Sequence, residues 1–507
     1  MAVSKTGESG GLCLWALFCA FTAFFYGIEF NIHGRRSKDE GMNTSQTQLF
    51  AGVGRRCTNP PANIAHGGWG AQKHEQAEGI DMDLWATALA FSDRQHTAII
   101  LDLDIQILTN QRADQIRAAV SEATGIPVQN IRASATHTHS GPVPYKSWIE
   151  KGYEMVGQWF DEVARQSAEA ALEALAGLQP ICIRAGRGQC HINTNRRAVT
   201  QSGERFLGIN PDGTCDHEVL VIRLDSVGGQ PLLTLVNYAC HPTIMGPLNR
   251  LITPDYPGAM KRIVEQAVGG KCVFLQGSAG DLGPLQGFQA NTNVYRNFGA
   301  ILGHEVANIA LSLNNVPSKS VFREVIPSGA PLGAYDPEFA TLSNLPLRVV
   351  EKEIVVPLRE GLPERKAATE KLEIWKSKLK VARETNEQTA ITEAIYMARR
   401  ADIQLRMADD FGGRTSAGVR THFIAFGDVV LVGCNIEPFC EIGMEIKRDS
   451  PFPITFMSGY TNGRMAYMAT AEEWPKGGYE VENSPFGESA AEVLIEEILE
   501  TLRTFRV

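Results

Sequence analysis

The ten cysteines of this chain include no Cys-x-x-Cys pair, which argues against a structural zinc ribbon or a thioredoxin-type redox motif. Several of them sit in apolar, strand-like runs, as in Lys271-Cys-Val-Phe-Leu275, and read as buried free thiols. Free thiols lean towards a reducing compartment, although an even count also permits disulfides. The body of the chain has no Lys/Arg block and the net charge is −9, so nucleic acid is not the expected partner. Internal repeats and low-complexity tracts are absent too, which excludes solenoids and propellers.

Long apolar runs are scarce as well. The exception is residues 11–28, an uncharged stretch of 18, long enough for a marginal membrane span and rather long for a signal-peptide core. Lys5 precedes it, and Arg35, Arg36 and Lys38 follow it, so flanking charge assigns no orientation. We read residues 1–46 as an apolar segment plus polar linker. It is either a signal or anchor, giving an exported or membrane-associated protein, or an extension the fold does not use, giving a cytoplasmic one.

What is present is an ordinary globular composition, 44% hydrophobic and 21% charged over 507 residues, enough for a large core. Strand-like runs at 86–91, 97–105, 181–185, 218–224, 232–239 and 272–275 alternate with helical periodicity at 111–124, 147–176 and 258–267. Asn110 is the candidate cap of the first helix. This rhythm predicts an α/β domain over 47–507, with a mixed β-sheet core flanked by helices. Residues 364–409 break it. Charged, Ala-rich and apolar at helical spacing, they predict an inserted helical hairpin, expected to be a solvated arm with a structural duty. The sheet resumes at 421–426 and 429–432, and a last helix is expected over 489–504.

Three strand ends carry metal-ligand types. Ala133-Ser-Ala-Thr-His137-Thr-His139-Ser-Gly-Pro142 reads as a strand running out into a loop, and alternation would put both histidines on one face. Asn237-Tyr-Ala-Cys240-His241-Pro ends likewise, with only one of Cys240 and His241 able to face a metal. Glu437 follows the third apolar run. Imidazole and carboxylate together suit zinc and its neighbours in the periodic table, and strand ends are where α/β proteins gather their sites.

With Gly280-Asp-Leu-Gly-Pro284, Tyr467-Met-Ala-Thr-Ala-Glu-Glu-Trp474 and Tyr479-Glu480 added, the motifs run in the order of the neutral/alkaline ceramidase family. The chain from about residue 47 to 487 resembles that family's N-terminal catalytic domain. The resemblance implies a zinc-dependent hydrolase acting on an acyl amide, or a related carbonyl, of a small-molecule or lipid-like substrate through zinc-activated water. It implies His137, His241, Glu437 and Tyr467 as zinc ligands, His139 as a proton shuttle, and Tyr479 and Arg196 beside the reacting carbonyl, with Arg197 adjacent as the other candidate. A phenol would not be proposed as a ligand from the residues alone, because its pKa near 10 makes it a poor one until a metal lowers it.

Two departures from the family are expected to matter. Its members have a Ser where this chain has Gly283, and they carry a C-terminal β-sandwich domain where this chain ends in a helix. Two other readings stand beside the hydrolase: a zinc enzyme of another reaction type on the same scaffold, acting for example on a carbohydrate derivative, and a non-catalytic binding protein.

Overall fold

Eight strands, interrupted by three α-helices, run through the first half of the chain, and their side chains alternate between two apolar surroundings. They are β1 (Phe50–Cys57), β2 (Trp85–Ser92), β3 (Thr97–Leu103), β4 (Ile131–Ala135), β5 (Gln179–Gln189), β6 (Glu218–Ser226), β7 (Pro231–Tyr238) and β8 (Lys271–Gln276). They form one mixed sheet in the order β8-β7-β6-β5-β1-β2-β3-β4. The outermost pairs, β7·β8 and β3·β4, are parallel and the rest antiparallel. A second sheet, β9 (Arg348–Pro357), β10 (Ser416–Phe426), β11 (Val429–Cys434) and β12 (Ile454–Ser458), keeps chain order and ends in a parallel pair. The computed structural model describes residues 48–506 apart from 147, 148, 340, 341 and 343–345, and Thr47–Val507 cluster as one compact unit. The apolar run at 11–28 lies outside the described residues. Among those described, no helix is long and apolar enough to cross a membrane.

The two sheets face each other across a shared core. Leu89, Phe91, Ile222 and Leu235 of the first sheet meet Ile424, Phe426, Leu431 and Phe456 of the second. On the far side of the first sheet the alternate residues, such as Ala86, Ala88 and Ala90, pack against α1 (Asn110–Thr124) and α2 (Val156–Ala176). Towards β8, α3 (Asp255–Val268) and α4 (Thr292–Asn315) cover the same face. Gly52 and Gly54 of β1 let α2 press onto the sheet, since a Cβ on either would fall 2.0 or 2.1 Å from the carbonyl oxygens of Ala174 and Ala170. The far side of the second sheet is closed by one end of the inserted hairpin, α5 (Arg365–Thr385) and α6 (Gln388–Phe411), together with α7 (Cys440–Asp449) and α8 (Ala490–Phe505).

Three local expectations need correction. The helix expected over 147–176 starts at Val156, after a short 3₁₀ turn at Tyr153–Met155, and Ser147 lies outside the described residues. The cap of α1 is Thr109, whose side chain accepts from the Arg112 amide. Most consequentially, β4 ends at Ala135. His137 and His139 therefore sit in the loop beyond it, and strand alternation does not bring them together.

Curling of the first sheet positions the site. Asp102 in β3 accepts from the backbone amide of Phe274 in β8, at 3.1 Å, so the β7–β8 end of the sheet comes round towards β3 and β4. The loops leaving β4 and β7 then open into the same place. A third loop is added when Ala135 donates to Tyr460 O at 3.1 Å and Asn462 donates to Ala133 O at 2.7 Å, docking the segment after β12 on β4.

Candidate metal centre

His137 takes its place through an unusual backbone. Its φ is +72°, a left-handed conformation that costs a non-glycine residue about 1–2 kcal/mol. The His137 amide donates to Ile105 O at 3.0 Å, and its ring Nδ1 is 2.6 Å from Gln106 O. That bond puts the proton on Nδ1 and leaves Nε2 with a free lone pair. His241 repeats the device: its Nδ1 is 2.6 Å from Ala279 O, and its buried Nε2 has no hydrogen-bond partner. Both imidazoles are nearly or fully buried, at 2% and 0% exposure.

Glu437 follows β11 on the two-residue strand Glu437–Pro438, which pairs in parallel with Tyr467–Met468, Glu437 opposite Tyr467. This register puts the carboxylate and the phenol side by side. Glu437 is 1% exposed, and its Oε1 accepts from Arg464 Nε at 2.7 Å. Its Oε2 lies 3.5 Å from His241 Nε2, 3.8 Å from His137 Nε2 and 3.4 Å from Tyr460 Oη. His139 Nε2 is 3.2 Å from His137 Nε2. Ligand atoms sharing a tetrahedral zinc at 2.0–2.1 Å stand about 3.3–3.4 Å apart. The measured spacings bracket that edge. His137, His139 and His241 form a group able to hold a metal ion, with ligand atoms within 4.8 Å of one another.

Protonation suits a cation. Burial pushes the His137 imidazole down to about 3, against the pull of Glu437. Burial, with Arg196 adding to it, also lowers His241, and burial followed by the neighbouring His137 imidazole holds His139 well below the usual range. Burial alone would raise Glu437, but the Arg464 guanidinium and the two imidazoles outweigh it and hold the carboxyl well below the usual range. Three neutral nitrogens and one carboxylate therefore converge. Tyr467 is buried with its phenol raised well above 10, first by burial and then by Glu437; its ring stacks 6.4 Å from His241 and meets Tyr479 edge-on at 5.9 Å.

Arg196 lies on the strand Asn193–Val199, which pairs with Leu282–Pro284 so that Thr194 faces Gly283. Its guanidinium stands 5.6 Å from the Tyr467 ring centre and is anchored through Nε to Glu480 at 2.9 Å, while Nη2 is buried without a partner. Arg197 is fully committed elsewhere, to Glu473, Glu480 and the Gly477 carbonyl. Tyr479, 38% exposed, stands at the mouth. A cavity of about 90 Å³ opens onto His137, His139, Glu437, Tyr467 and Tyr479.

Several members of the site carry no sequence signal. Gln106 supplies the carbonyl that orients His137, Arg464 charges Glu437, and Tyr460 lies against His137 with ring centres 4.1 Å apart. Trp69 covers His139 at 4.9 Å. The inserted hairpin, expected to be a solvated arm, instead supplies one wall: Arg399, Ile403, Arg406, Met407 and Asp410 of α6 all line the cavity.

Solved structures of similar shape include one described as neutral ceramidase from Pseudomonas aeruginosa, with a TM-score of 0.65 at 18% identity, covering 91% of this chain and 75% of that one. Another, described as ceramidase complexed with C2, has the same TM-score at 16% identity. Curated relatives include neutral ceramidase A of Dictyostelium discoideum, 24% identical over 226 residues, 41% of this chain and 32% of that protein. The neutral ceramidase of Pseudomonas aeruginosa is 24% identical over 252 residues, 47% of this chain and 37% of that protein. The chain thus spans about a third of the length of these relatives. Residues 50–292, which hold His137, His139, Arg196, His241 and Gly283, match the family described as neutral/alkaline non-lysosomal ceramidase, N-terminal.

Proposed function

We propose that this chain is a zinc-dependent hydrolase that cleaves an acyl amide or a related carbonyl compound. The observation that carries the reading is the unpartnered Nε2 of His241, buried 3.5 Å from a carboxylate oxygen of Glu437 and grouped with ligand atoms of His137 and His139 that all lie within 4.8 Å of one another. An orphaned buried acceptor is costly; here a cation would satisfy it. The donor set of imidazoles and carboxylate fits zinc, and the carbonyls of Gln106 and Ala279 orient the two ligating rings as metal-binding histidines require.

Bound in this cage, zinc would supply Lewis acidity, polarising the carbonyl and making water nucleophilic near neutral pH. The remaining work falls to side chains. We assign His137, His241, Glu437 and Tyr467 as ligands, and His139 as the group that takes a proton from the attacking water and gives it to the leaving amine. Arg196 Nη2 and the Tyr479 hydroxyl would donate to the developing oxyanion, each worth roughly 3–4 kcal/mol in the transition state. Trp69 and α6 restrict water on the open side.

A second ligand set rests on a specific distance. His139 Nε2 lies as near to His137 Nε2 as two ligands of one ion would, at 3.2 Å, which would make His139 a ligand in place of Tyr467. Metal analysis of the purified protein tests the common claim. We expect about one zinc per chain, loss of turnover of N-acyl amides and esters on chelation, and recovery on adding zinc back. Stoichiometric zinc with no acyl turnover would favour a zinc enzyme of another reaction type, for instance on a carbohydrate derivative. Absence of bound metal would favour a binding protein.

A further inference from the structure

Among the described residues, the cavity holds one cation with no hydrogen-bonded or ion-paired partner. Arg399 on α6 lines it together with His137, His139 and Tyr479, and its aliphatic stem runs beside the 67–72 loop, where a Cβ on Gly70 would stand 3.6 Å from Arg399 Cδ. No hydrogen bond, ion pair or ring contact engages its guanidinium among the described residues. The groups that act on it most strongly are Tyr479, Arg406, Asp402 and Tyr467. Both tyrosines are phenols, and Asp402 is bonded by Arg406, which also stacks over Tyr145 at 4.1 Å. Arg464, the other arginine lining the cavity, is taken by Glu437. Asp410 does line the cavity, but it stands eleven residues further along α6, about 16 Å at 1.5 Å per residue.

A half-buried guanidinium without an acceptor loses hydration and gains nothing for it. Such a group persists where a ligand completes it. Its planar fork matches a carboxylate in two parallel hydrogen bonds. Arg399 lines the same cavity as His139 and Tyr479, the groups assigned above to the leaving amine and the reacting carbonyl, so a carboxylate held there would belong to a substrate bound at that centre.

We propose that Arg399 recognises a carboxylate on the substrate, so that the substrates are N-acyl amino acids or similar anionic amides. The inference rests on the hydrolase reading for the word substrate and on Arg399 alone for the anion. A neutral long-chain amide leaves this cation uncompensated, whereas an anionic one pairs with it. The hairpin insertion is then a specificity element.

Two paired measurements test it. The first compares hydrolysis of N-hexanoylglycine with that of its isosteric neutral primary amide, following hexanoate release. The wild-type protein should favour the acid by about 10²-fold in kcat/KM, the scale of one charged hydrogen-bonded pair. In Arg399→Met that ratio should fall to within a few-fold of one, with Arg399→Lys in between. The second is calorimetric binding of N-hexanoylglycine to the protein as purified, which needs no turnover; Arg399→Met should weaken it at least tenfold. A wild-type preference for the neutral amide, equal binding of acid and amide, or undiminished acid binding in Arg399→Met would each overturn the proposal. Carboxylate binding that depends on Arg399 without hydrolysis of any amide would uphold the anion site and sink the hydrolase reading instead.

Discussion

Replacing Arg464 with Met removes the one strong bond of a buried carboxylate. Glu437 is 1% exposed, and apart from Arg464 Nε at 2.7 Å its neighbours are a hydroxyl at 3.4 Å and two imidazole nitrogens at 3.5 and 3.8 Å. Breaking one side of a buried pair typically costs about 3–5 kcal/mol. An independent route gives the same size. If the orphaned carboxyl is protonated in the folded state and ionised with a pKa of about 4.3 when unfolded, holding the proton at pH 7 costs about 3.7 kcal/mol.

The sign with pH follows. In the wild type the Glu437 pKa is lowered, so its contribution is full above the unfolded pKa and is lost as pH falls through the folded one. In Arg464→Met the folded pKa is raised instead, so the penalty is largest at neutral pH and shrinks to about 1 kcal/mol at pH 5. Urea unfolding of both proteins in chelator at pH 7 and pH 5 measures this. Adding Glu437→Gln to Arg464→Met should recover most of the loss at pH 7, and zinc should reduce it by supplying the missing charge. A loss below about 1 kcal/mol at pH 7, or one that does not shrink at pH 5, would refute the assignment of Arg464 as the charge partner.

Gly283→Ser should fold and keep its metal, because Gly283 has no left-handed φ and a Cβ there would meet Arg196 only at 3.5 Å, an ordinary contact. The added hydroxyl would sit beside Arg196, and we expect faster cleavage of long-chain neutral N-acyl amides. Loss of metal, read as zinc per chain, would show that the Leu282–Pro284 register is misjudged. A chain beginning at residue 45 should unfold with the same urea midpoint as the full one, since Thr47–Val507 forms its own compact unit. A lower midpoint would mean that the segment before it takes part in the fold.

The sheet was legible in the sequence because strands such as β2 alternate small and large apolar residues between two cores, a signal of period two. The insertion was legible because its helical pattern interrupts that rhythm. By contrast, α4 was missed: Gly299 and Gly303 dilute its helical signal, yet they let it lie on α3, where a Cβ on Gly299 would come 2.6 Å from Tyr256 O. At the site, strand-end reasoning found His137, His139, His241 and Glu437 by residue type, and the geometry brings them together. It failed on how the first pair converges, since a left-handed residue such as His137 has no periodicity to read. Arg464, Tyr460 and Gln106 were invisible because each acts across the fold on a residue far away in sequence. Arg399 was hidden in a helix whose charges all read as solvated.

Zinc per chain in His137→Ala and His139→Ala separates a metal ligand from a proton shuttle. His137→Ala should lose most of its zinc along with its activity, because an assigned ligand is gone. His139→Ala should keep zinc near one per chain while turnover falls about 10²- to 10⁴-fold, the range of a general acid or base. Equal loss of zinc from both variants would contradict the division of roles and make His139 a ligand; unchanged zinc in both would contradict the metal centre itself.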